Sequence, residues 1–262
     1  HVPMAIKCAK AGCHLFVEKP LSLILSRVEE LSCIIGEGKL VSMVGCNMRF
    51  HPAIKYIHDL LTKNPAFRKK LLAQLEFGYY LPFARPDYRR AYQANRDMGG
   101  NLIFDGIHEL DYAVWFFGKP KKVFCAKGLV SGLDMDTEDH AEMIVKFESG
   151  VVCSVHMDYL QHGYSRRCKI VCEDGTAVWD FAGGRIGIIT RKEKRWKWIE
   201  MDTELYYNKM YLDEIKYFLE SARLKKQTFN SVGSSVWVLK LAIAANKSSI
   251  SGRWEHIKGE DK

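Results

Sequence analysis

The sequence contains no run of about 18 apolar residues, the length a helix needs to cross a bilayer, so no membrane-spanning helix is expected. It has no C-x-x-C pair. The most closely spaced downstream cysteines, Cys168 and Cys172, sit four apart in a strand-like segment with no further ligands nearby, so no metal site is expected. Cys8, Cys13, Cys33, Cys46, Cys125 and Cys153 stand mostly in apolar runs and read as reduced, buried thiols of a cytoplasmic protein. The opening His1-Val2-Pro3-Met4 shows no basic stretch followed by an apolar core, so no signal peptide is expected, and it lacks an initiating methionine. Repeats and low-complexity tracts are missing as well.

What is present is ordinary globular composition. Of 262 residues, 47% are hydrophobic and 27% charged, enough for one large core or two smaller ones. The formal charge is +8, but the lysines and arginines are scattered; the densest groups are residues 191–198, with two tryptophans, and 223–226. That distribution suits solvated turns and a mild attraction for an anionic cofactor or phosphorylated sugar better than a nucleic-acid surface.

The hydrophobic pattern changes along the chain. Residues 3–12 read as a short helix with proline near its start and glycine at its end. A buried strand at 14–17, a helix at 22–36 (apolar at Leu25, Val28, Leu31 and Ile35) and a strand-like run at 40–48 follow. This alternation predicts a parallel sheet with crossover helices. A further helix runs to about residue 64, then a strand at 71–80, a polar loop at 85–100, and a helix at 101–117 closed by Gly118. Residues 121–200 are successive strands: Ala141, Met143, Val145 and Phe147 alternate with polar neighbours, and Ser149-Gly150, Asp174-Gly175 and Gly183-Gly184 mark turns, which predicts an antiparallel sheet with one covered face. Two helices, at 204–222 and 232–249, complete the chain. The fold class is α/β: part of a Rossmann domain over residues 1–48, then an α/β domain with an open, mostly antiparallel sheet over 49–262.

Three places can carry chemistry. Glu18-Lys19-Pro20 ends a predicted parallel strand, the edge where open α/β sheets bind ligands, although a plain surface turn would use the same residues. Asp105 and His108 lie three apart in the helix that follows Gly99-Gly100, with Glu109 and Tyr112 on or near the same face. A histidine oriented by a carboxylate makes a general base; a helix N-terminus favouring Asp105 would account for the pair without chemistry. The loop Asp87-Tyr88-Arg89-Arg90-Ala91-Tyr92 interleaves groups that can bind sugar hydroxyls or clamp a carboxylate or phosphate. Asp158-Tyr159 and Arg166-Arg167 are weaker candidates in the sheet.

Taken in order, residues 1–22, with Glu18-Lys19-Pro20, then Arg49-Phe50-His51-Pro52, then residues 99–112 resemble segments of the Gfo/Idh/MocA family of NAD(P)-dependent oxidoreductases, over essentially the whole chain. The resemblance implies Lys19 as catalytic lysine, His108 as general acid/base and Asp105 as the acid of the substrate pocket. It implies that Glu18, Lys19, Pro20 and Arg49 contact NAD or NADP, and that Asp87, Tyr88, Arg89, Tyr92, Asp158 and Tyr159 contact a sugar, amino sugar or polyol. In many members the acid stands four residues before the histidine; here it stands three before, at Asp105, as in a branch with Asp-x-x-His-Glu-x-Asp-Tyr that accompanies surface-sugar pathways. The family's G-x-G-x-x-G turn does not occur, so the chain is expected to begin part-way through its nucleotide-binding domain. The implied activity is hydride transfer between nicotinamide and a hydroxyl-bearing carbon, in a homo-oligomer assembled through the C-terminal sheet. Two alternatives are a non-catalytic sensor or scaffold on the same fold and an NAD-assisted glycosidase.

Overall fold

The computed structural model describes residues 1–201 and 203–259, with backbone alone at 203–207. Its first part is helix α1 (Val2–Lys10), strand β1 (Leu15–Glu18), helix α2 (Val28–Glu37) and strand β2 (Ser42–Gly45). β1 and β2 pair in parallel, Leu15 against Ser42, as the alternation requires. Among the described residues β1 pairs with β2 alone. The other edge of β2 is closed by a segment far along the chain: Val44 N–H donates to the Asn230 carbonyl, and Thr228 Oγ1 to the Ser42 carbonyl.

Helix α2 starts later than its apolar stripe predicts. Ser22 Oγ accepts from the Ile24 amide, a local bond that competes with helix, and Arg27 takes a left-handed φ of 61°. Leu23, Ile24 and Leu25 are therefore exposed in a turn, and the buried stripe begins at Val28. The run predicted as a strand to residue 48 pairs only through Gly45, because Asn47–Phe50 winds into a 3₁₀ turn leading to helix α3 (Pro52–Lys63). His51 caps α3, its Nδ1 accepting from the Ala53 amide.

The remainder is strand β3 (Lys70–Gly78), the short helices α4 (Leu81–Ala84) and α5 (Leu102–Asp105), helix α6 (Ile107–Phe117), and strands β4 (Pro120–Gly128), β5 (His140–Phe147), β6 (Val152–Asp158), β7 (Ser165–Cys172), β8 (Gly175–Asp180), β9 (Arg185–Thr190) and β10 (Lys197–Glu200). Helices α7 (Thr203–Arg223) and α8 (Val232–Ser251) and strand β11 (Glu255–His256) follow. The strands form one nine-stranded sheet in the order β10-β9-β8-β7-β3-β6-β5-β4-β11. Each adjacent pair is antiparallel except β3 and β6, since β3, arriving from the first part, is inserted between β6 and β7. The face bearing Ala141, Met143, Val145 and Phe147 is buried, as their alternation predicts, and α6 and α8 cover it.

A buried ion pair fastens the link between the two sheets to α6. Arg49 Nε and Nη2 each donate to Asp111 at 2.7 Å, and Nη1 donates to the Phe229 carbonyl at 3.2 Å. Removing one partner strands the other charge without water. Arg49→Met is expected to cost about 3–5 kcal/mol in urea unfolding, and adding Asp111→Leu should recover most of it. Equal loss in the single and double variants would show that the pair's charge compensation is not what stabilises this link.

Candidate active site

The predicted helix over 101–117 is broken. Gly106 separates α5 from α6, and the Glu109 amide bonds to the Gly106 carbonyl instead of the Asp105 carbonyl. A side chain at Gly106 would crowd the sheet beneath, where a Cβ would stand 2.8 Å from Met157 Sδ, so Met157 would have to shift. The break leaves the Asp105 carbonyl free at a helix end, and Lys19 Nζ donates to it at 3.0 Å. Lys19 leaves β1 through a cis bond to Pro20.

The Asp105 carboxylate receives three phenols. Tyr159 donates to Oδ2 at 2.9 Å, Tyr79 donates to Oδ2 at 3.4 Å, and Tyr92 donates to Oδ1. Lys19 Nζ is 4.0 Å from Oδ1. Burial, and then the Asp105 charge, push the Tyr79, Tyr92 and Tyr159 phenols up, so all three remain donors. Asp105 therefore does not hold His108, as a shared helix face would suggest.

Gly99 and Gly100 place Tyr92 in that cage. Gly99 turns the chain at φ +85°, and a Cβ on Gly100 would stand 2.2 Å from the Tyr92 carbonyl oxygen. Asn101 caps α5 through the Ile103 and Phe104 amides, while Glu138 accepts from the Leu102 amide and pairs with Lys127 at 2.9 Å.

His108 lies beside this cage. Its Nδ1 is buried with no hydrogen-bond partner among the described residues. Burial, with Lys19 and Arg166 adding to it, holds His108 well below the usual histidine range, so the imidazole is neutral at pH 7. Arg166 is itself neutralised by Glu109, Nε to Oε1 2.8 Å, and Tyr112 donates to the same Glu109 oxygen. Three cavities of about 500, 730 and 630 Å³ meet at Lys19 and Asp105, and His108 lines the first of them.

Lys19, Asp105, His108, Tyr92 and Tyr159, all named from the sequence, thus converge. Pro20 lines the second cavity with Lys19, Tyr92 and Asp105, and the other candidates do not converge there. Glu18 accepts from the Lys19 amide, and Arg49 is spent on Asp111 and Phe229. Tyr88 is buried and its hydroxyl accepts from the Asp134 amide, while Arg89 pairs with Asp134 on the surface and Asp87 opens the Tyr88–Arg90 turn. Asp158 serves its own turn and its strand, accepting from the Leu160 and Gln161 amides and pairing with His156 at 2.7 Å. Sequence reasoning missed Tyr79, the last residues of a strand being ordinary places for tyrosine, and it underrated Arg166.

Residues 69–178 match the GFO/IDH/MocA C-terminal domain. That segment runs from β3 into β8, so the match covers the central part of the large sheet. The chain is similar to myo-inositol 2-dehydrogenase of Thermotoga maritima, 24% identical over 95% of this chain and 74% of that protein. It is also similar to the NAD(+) scyllo-inositol 2-dehydrogenase of Bacillus subtilis, 24% identical over 96% of this chain and 73% of the relative. Among solved structures of this fold, levoglucosan dehydrogenase in complex with NADH superposes with a TM-score of 0.88 at 17% identity, over 98% of this chain and 77% of that one.

Behind the first cavity, His51 packs against Trp179 and Phe181, and burial together with Arg166 lowers it to about 4. An unfolded histidine takes up its proton near pH 6.5, whereas folded His51 does so only near 4, so stability is lost as pH falls across that window. The loss attributable to His51 should reach about 3 kcal/mol at pH 4. His51→Asn, which keeps a capping side chain, should flatten that part of a stability-against-pH curve; an unchanged slope would rule the assignment out.

Proposed function

We propose that the protein is an NAD(P)-dependent dehydrogenase that oxidises a hydroxyl-bearing carbon of a sugar, amino sugar or polyol. The observation that carries this reading is a neutral, half-buried His108 beside Lys19 and Asp105 at the end of a parallel strand, in a chain whose relatives are dehydrogenases of such compounds. The residues present suit a nicotinamide. Lys19 has three donors and spends one on the Asp105 carbonyl, which leaves donors for a cofactor ribose and a substrate oxygen. Glu18 and Pro20 flank it at the strand edge where such cofactors bind. Bound nicotinamide supplies the hydride acceptor.

His108, neutral at the working pH, accepts the hydroxyl proton, and Lys19 donates a hydrogen bond to the oxygen as negative charge grows there. Asp105, fixed by Tyr79, Tyr92 and Tyr159, holds the Lys19 head in position. Tyr92 and Tyr159 act in this way as positioning residues. Arg49, Asp87, Tyr88, Arg89 and Asp158 support the fold around the site. The outer face of the large sheet, where Leu72 and Ile144 are exposed, supports a homo-oligomer assembled through that sheet. Eight unpaired cysteines support a cytoplasmic setting.

The test is nicotinamide reduction followed in absorbance with a panel of polyols and sugars, alongside calorimetric titration of NAD⁺ and NADP⁺. His108→Ala should lower kcat by about 10²–10⁴ while leaving cofactor affinity nearly intact. Tyr159→Phe should lower kcat less, since two phenols still hold Asp105. Cofactor binding without turnover on any substrate would favour the sensor reading, and full-rate turnover by His108→Ala would remove its assigned role.

A further inference from the structure

The third of the converging cavities, about 630 Å³, runs from Lys19 and Asp105 away from β1. Its walls are aromatic. Tyr80 and His162 stack at 4.3 Å between centroids, and Phe83 meets Tyr80 edge-on at 4.8 Å. Its charge is unbalanced. Asp105 is the one carboxylate among the lining residues, and it is already engaged by Lys19 and three phenols. That leaves the guanidinium of Arg85, at the C-terminal end of α4, as surplus positive charge in the same cavity.

Arg90 of this loop does not line the cavity, and two further arginines are spent. Arg89 pairs with Asp134, and Arg96 donates to the Asp136 carbonyl. The exposed Arg85 side chain has no hydrogen bond or ion pair among the described residues, and it lines the same cavity as Tyr79, Tyr92 and Asp105. A planar guanidinium with its donors unused, beside an aromatic wall suited to the C–H face of a sugar ring, is a fork for a carboxylate or phosphate.

We propose that the substrate is an acidic sugar derivative, and that Arg85 binds its carboxylate or phosphate while the reacting hydroxyl lies at Lys19 and His108. This rests on the dehydrogenase reading for the second half of the statement only; the anion subsite stands on Arg85 and the cavity. It predicts that acidic sugars bind and turn over better than neutral ones, and that the advantage resides in KM, because Arg85 holds a group remote from the chemistry.

The probes are myo-inositol as the neutral compound, D-glucuronate for the carboxylate and glucose 6-phosphate for the phosphate, each assayed for turnover and for binding by calorimetry with the native chain, Arg85→Gln and Arg85→Lys. At least one acidic probe should exceed the neutral one about tenfold or more in kcat/KM and in affinity, a single charge-assisted pair being typically that strong. Which acidic probe gains identifies the anion. Arg85→Gln should erase the advantage through KM, leave kcat within about twofold, and not alter affinity for NAD⁺ or NADP⁺. Arg85→Lys should restore part of it. Equal affinity for acidic and neutral probes in the native chain, or an Arg85→Gln change confined to NADP⁺, overturns the proposal. Calorimetry separates the two readings: tighter acidic-probe binding lost in Arg85→Gln without turnover on any probe supports the subsite and rejects the dehydrogenase.

Discussion

The hydrogen bond from Lys19 Nζ to the Asp105 carbonyl is the constraint on which the site depends. It joins a side chain at the tip of the small parallel sheet to a backbone acceptor on the helix that crosses the large one. It exists because the helix fails at Gly106. Had residues 102–117 formed one helix, the Glu109 amide would have taken that carbonyl. At that break a Cβ on residue 106 would press on Met157 of β6, so packing against the sheet favours glycine there. A local defect in secondary structure supplies what a regular helix would have consumed.

Around that bond the interior is arranged by charge. Helix α6 carries Glu109 and Asp111, each fully buried and each matched to an arginine from another element, Arg166 on β7 and Arg49 before α3. The two pairs project from the same helix toward different partners, so α6 is held in rotation as well as in place. Burial raises the Glu109 carboxyl while Arg166 opposes that rise, the balance expected of an ion pair in a dry interior. Asp105 differs in that phenols, not an arginine, satisfy its oxygens. Neutral donors hold a carboxylate without cancelling its charge, which leaves that charge available to Lys19.

The chemistry was legible in the sequence where it is local and its geometry was not. Glu18-Lys19-Pro20 after an apolar run and Asp105 with His108 after two glycines are short-range patterns, and the structure brings Lys19, Asp105 and His108 together. The strand alternation of β5 likewise predicts its buried face. What periodicity could not show was contact across the fold. Asp105 and His108 at helical spacing read as partners, but the break at Gly106 turns Asp105 toward Tyr79, Tyr92 and Tyr159. Arg49, placed near the cofactor by resemblance, meets Asp111, 62 residues away. Helix α2 starts later than its spacing predicts because a serine turn and a left-handed Arg27 override an apolar stripe, which leaves Leu25 outside it.

The electrostatics also give the proposed reaction a direction. His108 lines the same cavity as Lys19 and Arg166, and its Nδ1 has no hydrogen-bond partner among the described residues. Such a ring accepts a proton only transiently, because the imidazolium would be a third positive group in a buried space with no carboxylate bonded to it. Glu109, which could have stabilised it, is committed to Arg166 and Tyr112. In the proposed reaction a proton taken from the substrate would therefore be held at high free energy, while the growing negative charge on the substrate oxygen would lie next to Lys19. In the proposed reaction a neutral imidazole can accept the proton, which a permanently charged histidine could not do.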